Sequence, residues 1–245
     1  MCLIVFAWQV VPGAPLIAAA NRDEFYDRPA SAASAWPEHP HVFAGRDLKA
    51  GGSWMGITQE GQNGPRFAAV TNIRAPQERR TDAPSRGALV ADYLAGQLTA
   101  AEYVERIAQS SDAYNGFNLV LGDRNSLIWY SNRGTGDARN GQQLEPGIYG
   151  ISNGLLDAPW PKVLRTKAQF ASLLCQGAPE DAFFEMLADT TRAPDVRLPD
   201  TGIELELERK LSAVCIETEG YGTRTSTVVK LYANGPAELH ERVIQ

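Results

Sequence analysis

Cys2 is the residue of this chain whose type and position point most directly to chemistry. Methionine aminopeptidases remove Met1 when the second residue is small, so the mature chain would begin with Cys2. Such a residue carries a thiol nucleophile and, in its own α-amino group, a base. The pKa values of the two free groups, about 8.5 and about 8, are matched for proton exchange near neutral pH. The alternative is a small buried residue that begins a strand, as free cysteines often are.

A polar tetrad, Asn21-Arg22-Asp23-Glu24, follows an apolar run at residues 16–20. An earlier apolar run at residues 3–8 is separated from it by a Pro-Gly turn at 12–13, and this pattern predicts a hairpin. The hairpin would return the tetrad to Cys2, where Asn21 and Asp23 could hold an α-ammonium group. A solvated turn of mixed charge is the alternative.

Polar residues also stand at the ends of three other apolar strands. Asn72 follows residues 67–70, Asn153 follows residues 148–151, and Arg224 precedes a strand at 225–230. A side-chain amide at a strand end can donate to an oxyanion, which is worth about 3 kcal/mol in a transition state. Asparagine is also a common turn residue, so each one singly could be structural.

The elements that would position these residues alternate between groups of strands and groups of helices. Helices are expected near residues 88–96, 161–174 and 179–190, and a capping box of Thr99 and Glu102 predicts one more. A turn is expected at 59–65, a surface loop at 28–40 and an excursion or lid at 192–209. Hairpins rather than crossovers predict one layered α+β domain over residues 1–245, with helices outside mostly antiparallel sheets.

Composition limits the classes of protein to consider. The chain has 245 residues and a formal net charge of −6, which leaves no basic footprint for nucleic acid. Three separate cysteines exclude a disulfide framework or a metal knuckle, and Cys175 and Cys215 are expected in the core. No apolar run reaches the ~18–20 residues of a membrane helix. We therefore expect a soluble, cytoplasmic protein without a transmembrane segment.

Several blocks of the sequence are long and unusual in composition. They are Met1-Cys2, the tetrad, Gly51-Gly52-Ser53-Trp54-Met55-Gly56, Thr71-Asn72, Ser85-Arg86-Gly87, Gly116-Phe117-Asn118-Leu119, residues 152–162 and residues 221–227. Together they resemble the NRDE family, that of the transport and Golgi organisation protein 2. This family is similar to the N-terminal nucleophile hydrolases of the bile-salt hydrolase and penicillin V acylase branch, which implies a four-layer αββα fold.

The resemblance implies a hydrolase that cleaves an amide or related acyl bond through Cys2, without a metal or cofactor. Asn72 and Asn153 would hold the oxyanion and the amine, while Asp23 and Arg224 would orient the nucleophile. That branch has an Arg-Asn-x-Asp pattern where this chain has Ala-Asn-Arg-Asp at 20–23. Ala20 thus replaces the arginine, and Arg22 is expected to point to the opposite face of the strand.

The alternative is a non-catalytic carrier on the same fold, because members of the family are implicated in haem trafficking and in acyl-lipid or acyl-CoA homeostasis. His39 and His41 are the candidates for contact with haem. Arg74 and Arg86 could receive a carboxylate, a haem propionate or a CoA phosphate, and Trp54 could close the cleft. Either interpretation gives the protein a small-molecule partner.

Overall fold

A computed structural model of the chain describes residues 2–59 and 64–245. The strands in these ranges are β1 (Cys2–Val11), β2 (Ala14–Phe25), β3 (Ala30–Trp36), β4 (His39–Asp47), β5 (Met55–Thr58), β6 (Phe67–Asn72), β7 (Phe117–Gly122), β8 (Leu127–Ser131), β9 (Gly147–Ile151), β10 (Glu217–Thr218), β11 (Tyr221–Leu231) and β12 (Glu238–Val243). The α-helices there are α1 (Gly87–Ala95), α2 (Ala100–Ala108), α3 (Pro161–Gln176), α4 (Glu180–Leu187) and α5 (Leu205–Leu211).

The strands form two antiparallel sheets. In the first sheet the order is β10-β11-β2-β1-β9, with β12 also paired to β11. In the second sheet β3 to β8 follow one another in chain order. Hairpins therefore connect most neighbours, as the sequence predicted.

Three apolar cores separate four layers. The central core lies between the sheets and joins Ile4 and Phe6 of β1 to Ile57 and Val120 of the second sheet. A second core packs α1 and α2 against the outer face of the second sheet, and a third packs α3 and α4 against the first. The four-layer αββα arrangement implied by the resemblance is thus confirmed.

Strand β1 runs through the middle of the first sheet and has both faces covered. Its side chains alternate between the central core, which takes Ile4 and Phe6, and the helix-side core, which takes Leu3 and Val5. This double burial explains the continuous apolar run at residues 3–8, because neither face meets water. The predicted hairpin with β2 is confirmed, and Gly13 turns the chain at a φ of 77°.

Local signals placed the helix ends well. The Thr99 side chain accepts from the Glu102 backbone N–H, and the Glu102 carboxylate accepts in return, so the capping box begins α2. Helix α3 begins at Pro161 and ends before Gly177, whose left-handed backbone closes it. No helix within residues 2–59 and 64–245 has the length and apolarity needed to cross a bilayer.

Several local expectations were wrong or lie outside the described residues. Residues 28–40 hold β3 and the start of β4 instead of a loop, since an exposed edge strand can be built from Ala and Ser. The expected lid at 192–209 contains the start of α5, and Cys175 is exposed on α3. The expected turn at 59–65 falls partly, and Met1 wholly, outside the described residues.

Candidate active site

Cys2 lies at one end of the sandwich, where three strand ends meet. It is opposite Arg22 in the β1–β2 ladder, and Ile4 is opposite Ile151 in the β1–β9 ladder. The residues that follow β9 therefore pass directly beside the start of β1. The Ser152 hydroxyl donates to the Cys2 carbonyl oxygen at 3.0 Å, which fixes the backbone of the candidate nucleophile.

Arg22 points into the space between the sheets, on the same face as Ala20. Its guanidinium carbon lies 4.3 Å from the centroid of the Trp54 ring, and Ala20 belongs to the central core. The expectation of an opposite face was wrong, because residues two apart on a strand share a face. Arg22 thus lies on the face that an arginine at position 20 would occupy. It is two residues further along β2, directly opposite Cys2.

The environment of Arg22 is unusual for a cation. Its side chain is 5% exposed, and the nearest ion pair is a long one, 3.9 Å from Nη2 to Oδ2 of Asp47. Nη1 has no hydrogen-bond partner in the described part of the chain. Burial lowers the pKa of Arg22, while the negative charges of a Cys2 thiolate, Glu24 and Asp47 raise it. A negative charge at Cys2 would therefore be stabilised by this group.

Asp23 points the other way, towards the helix layer. Its Oδ1 accepts a hydrogen bond of 2.7 Å from the Thr223 hydroxyl, and its carbonyl oxygen accepts one of 3.2 Å from the Tyr221 hydroxyl. Burial raises the pKa of Asp23, and the positive charge of Lys162 lowers it. Two neighbouring residues of the tetrad thus present opposite charges on the two faces of β2.

The outer residues of the tetrad have structural contacts. The Asn21 amide donates to the carbonyl oxygens of Leu187 and Val214 at 2.8 and 2.9 Å, and its oxygen accepts from the Ser226 hydroxyl at 2.7 Å. Glu24 is partly exposed and lies 3.7 Å from the Arg28 guanidinium. Asn21 ties the sheet to the helix layer, and its hydrogen-bonding capacity is used there.

Asn72 and Asn153 lie next to each other where strands β6 and β9 end. The Asn153 amide donates to the Asn72 carbonyl oxygen at 3.0 Å, and its own oxygen accepts from the Ser152 hydroxyl at 3.3 Å. The side-chain amide of Asn72 makes no hydrogen bond with any residue in 2–59 or 64–245. Asn72 therefore offers an uncommitted donor at the strand end, and Asn153 holds the backbone that carries it.

The protonation of Cys2 follows from its surroundings. Burial raises the pKa of the Cys2 thiol, and the Asp23 carboxylate raises it further. Arg22 and a hydrogen bond from the Asp23 backbone lower it. The net direction is upward, so the thiol carries its proton at neutral pH and needs a base before it can attack.

Arg86 belongs to the same end of the sandwich. Burial lowers the pKa of Arg86, and a Cys2 thiolate would raise it, so this charge also acts on the nucleophile. Its Nη1 donates to the Gly116 carbonyl oxygen at 3.1 Å. A Cβ on Gly52 would lie 2.4 Å from the Gly87 carbonyl carbon. The two glycine blocks therefore pack backbone on backbone, which places Arg86 and Trp54 close to one another in the fold.

Arg74 and Arg224 are each committed to protein groups. Arg74 forms a 2.5 Å ion pair with Glu208, and the two side chains are 6% and 4% exposed. Arg224 donates to the carbonyl oxygens of Phe25, Arg28 and Gln245 at 3.1, 2.8 and 2.8 Å. Arg224 thus fastens the end of β2 to the C-terminus, and its role towards Cys2 stays a prediction.

The histidines of the haem hypothesis lie elsewhere. His39 begins β4, whereas Asp47, the partner of Arg22 and Arg28, ends it. Nine strand residues span about 26 Å, so the histidines and these arginines lie at opposite ends of the strand. The His39 and His41 rings are 6.0 Å apart, and no three His, Cys, Asp or Glu side chains of the described ranges gather as a metal site. The contact of His39 and His41 with haem stays a prediction.

Sequence reasoning gave no role to Lys162, although it lies within the block at 152–162. It is 1% exposed at the start of α3, and burial lowers its pKa to about 8. The available signal was helical periodicity, since Lys162, Thr166 and Phe170 lie four residues apart and form one buried stripe. A lysine on the buried face of a helix is rare enough to indicate a specific partner.

Comparison with known proteins places this chain in a family. The model of the Transport and Golgi organisation 2 family matches residues 1–245. The chain belongs to this family. It is 37% identical to the Transport and Golgi organization protein 2 homolog of Bos taurus, over 99% of this chain and 92% of that protein.

Other members of the family are also similar along most of their length. The homolog of Homo sapiens is 35% identical over 99% of this chain and 92% of its own. The protein of Drosophila melanogaster is 31% identical over 94% and 87%. Among solved structures, the Caenorhabditis elegans N-acylethanolamine-hydrolyzing acid amidase (NAAA) ortholog is 12% identical over 93% of this chain and 92% of that chain, with a TM-score of 0.46.

Proposed function

We propose that this member of the family is an N-terminal-cysteine hydrolase that cleaves an amide or related acyl bond through Cys2. The observation that carries the proposal is a hydrogen-bonded link at one end of the sandwich. Ser152 donates to the Cys2 carbonyl oxygen, and the next residue, Asn153, donates to the carbonyl oxygen of Asn72, whose own amide is uncommitted within residues 2–59 and 64–245. A nucleophile and an oxyanion donor are the two parts that acyl transfer needs first. Arg22, on the same face, adds a positive charge without a hydrogen-bond partner at Nη1 in residues 2–59 and 64–245.

The reaction would proceed as acyl transfer in two steps. With Met1 removed, the Cys2 α-amine takes the thiol proton, and the sulfur attacks the carbonyl carbon to form a tetrahedral oxyanion. The Asn72 amide donates to that oxyanion, while Asn153 and Asp23 hold the α-ammonium group. The ammonium proton passes to the leaving amine as the C–N bond breaks, and water then hydrolyses the thioester to restore the thiol.

Arg224 would act on this reaction as a positioning residue. Its guanidinium holds carbonyl oxygens of Phe25 and Arg28, just beyond the tetrad. It would thereby fix the strand end that carries Arg22 and Asp23, rather than contact the substrate.

The test combines protein mass with amide cleavage. We expect the purified chain to lack Met1 and to release fluorophore from a panel of N-acyl-7-amino-4-methylcoumarin amides, with a transient acyl group on Cys2. Cys2→Ala should abolish release, and Cys175→Ala should leave it unchanged, because Cys175 is exposed on α3. Retention of Met1, or cleavage that survives Cys2→Ala, would overturn the proposal.

Ligand carriage on the same fold is a second candidate, and the state of Arg22 favours it. A buried guanidinium over Trp54 with an unpartnered Nη1 can hold an anionic head group without any reaction. A carrier should bind palmitoyl-CoA or haemin saturably, and the change in tryptophan fluorescence measures this binding. Arg22→Met should weaken that binding about tenfold or more, whereas Cys2→Ala should not change it. An affinity that Arg22→Met leaves unchanged would argue against this role.

A further inference from the structure

Lys162 has three unfavourable features at once for a charged side chain. It is 1% exposed, and its Nζ has no hydrogen-bond partner in the part of the chain that the structure describes. It also stands in the first turn of α3, where the helix dipole disfavours a cation. A buried ammonium in such a place destabilises the fold unless nearby negative charge compensates it.

The compensating charges belong to the candidate site. The groups that act on the Lys162 charge are Asp23 of β2, Cys2 of β1, Arg74 after β6 and Glu208 of α5. Asp23 is the strongest of those that favour the ammonium, and Lys162 in turn favours the carboxylate. Glu208 is already paired with Arg74 at 2.5 Å. Asp23 is therefore the main counter-charge of Lys162.

The layers of the fold explain this arrangement. Asp23 faces the helix side of the first sheet, and α3 packs there through Val163, against Leu3 and Val5 of β1. Lys162 precedes Val163 and is buried in the first turn of α3. Its ammonium charge acts on Cys2 and Asp23, whereas Arg22 and Trp54 lie on the other face of the sheet.

We propose that Lys162 is a positioning residue whose buried ammonium keeps the Asp23 carboxylate ionised and fixed beside Cys2. The inference rests on the proposed function, because it assigns Asp23 the task of holding the Cys2 amine. A neutral Asp23 could not pair with an α-ammonium group. The energetic cost of burying Lys162 is thereby linked to the site rather than to packing alone.

The experiment measures the pKa of the Asp23 carboxyl itself, which needs no substrate and so can fail or succeed separately from amide cleavage. Protein labelled with carbon-13 at the aspartate side-chain carboxyl is titrated by NMR between about pH 4 and 8, and Asp23→Asn assigns the Asp23 resonance. The proteins compared are the unchanged chain, Lys162→Met and Lys162→Arg. Lys167→Met is the matched control, since that lysine is on α3 but pairs with Asp157.

The proposal predicts that Lys162→Met raises the midpoint of the Asp23 titration by about one pH unit or more, because the carboxylate loses a nearby positive charge. Lys162→Arg and Lys167→Met should both keep the original midpoint.

An unchanged Asp23 midpoint in Lys162→Met would overturn the proposal, because the Lys162 charge would then not act on the carboxylate. A lower Tm in Lys162→Met without a shift of this midpoint would overturn it likewise, since Lys162 would then serve packing alone. If Lys162→Met does not fold, Lys162→Gln replaces it and the same midpoint is compared.

Discussion

Cys2 and Arg22 lie directly opposite each other across the β1–β2 ladder. Side chains of directly opposed residues project to the same face of a sheet, so the thiol and the guanidinium share the space between the two sheets. There the Arg22 guanidinium makes a long ion pair with Asp47 and stacks on the Trp54 ring. The pair joins a candidate nucleophile to a cation that the fold has buried but not neutralised.

Removal of the Arg22 charge should change the reactivity of Cys2. We expect Arg22→Met to raise the midpoint of Cys2 alkylation by about one pH unit, because a nearby positive charge favours the thiolate. The rate of iodoacetamide labelling against pH measures this shift. Arg46→Met is the control, since Arg46 pairs with Glu38 on the surface. An unchanged midpoint in Arg22→Met would show that the two groups do not interact.

Two asparagines of the family blocks should respond differently to substitution. Asn72→Ala should lower amide cleavage about 100-fold or more with almost no change in Tm, because its amide binds no residue in the described ranges. Asn21→Ala should lower the free energy of unfolding by about 3 kcal/mol, because two carbonyl oxygens and a hydroxyl lose their partner. Urea unfolding and turnover distinguish them. If Asn72→Ala lowered stability and Asn21→Ala lowered only turnover, the roles assigned to the two asparagines would be wrong.

The Arg74–Glu208 pair should be important for stability. Both side chains are buried, so Glu208→Ala removes the ion-pair partner of the Arg74 guanidinium and should cost about 3–5 kcal/mol of unfolding free energy. The neighbouring Arg209→Ala removes exposed pairs with Asp195 and Glu206 and should change Tm little. Thermal and urea unfolding of the two variants give the comparison. Equal, small effects would contradict the burial of the pair.

Lys162 should give the protein a recognisable alkaline pH dependence. Its pKa falls to about 8 in the fold, below its ordinary value, so above that pH the unfolded chain binds a proton that the folded chain does not. Stability from this group is therefore lowest below pH 8 and rises as the pH approaches the unfolded value. The unfolding free energy of the wild type minus that of Lys162→Met should increase between about pH 8 and 10. A flat difference would mean that the pKa of Lys162 is not lowered in the fold.

The sequence predicted those parts of the fold whose signals are local. The apolar runs on either side of Gly13 indicated the hairpin, and Thr99 with Glu102 indicated the start of α2, because turns and caps depend on neighbouring residues. Strand β3 was missed, since its Ala and Ser residues are stabilised by pairing with β4 and not by their own propensity.

The same limit applies to the candidate site. The strand ends carrying Cys2, Asn72 and Asn153 could be chosen from residue type and position. The uncommitted state of the Asn72 amide and the effect of the Lys162 charge on Asp23 could not, because both depend on how distant segments come together. The face of β2 on which Arg22 lies could have been derived by counting two residues from Ala20.

Intact mass combined with thiol labelling decides whether Cys2 is a terminal nucleophile. Intact mass of the purified protein is recorded before and after brief treatment with limiting iodoacetamide, and the label is mapped. We expect a chain without Met1 whose fastest label is on Cys2, ahead of the exposed Cys175, because the freed α-amine then takes the thiol proton. A chain that retains Met1, or that labels at Cys175 while Cys2 stays inert, would contradict this expectation.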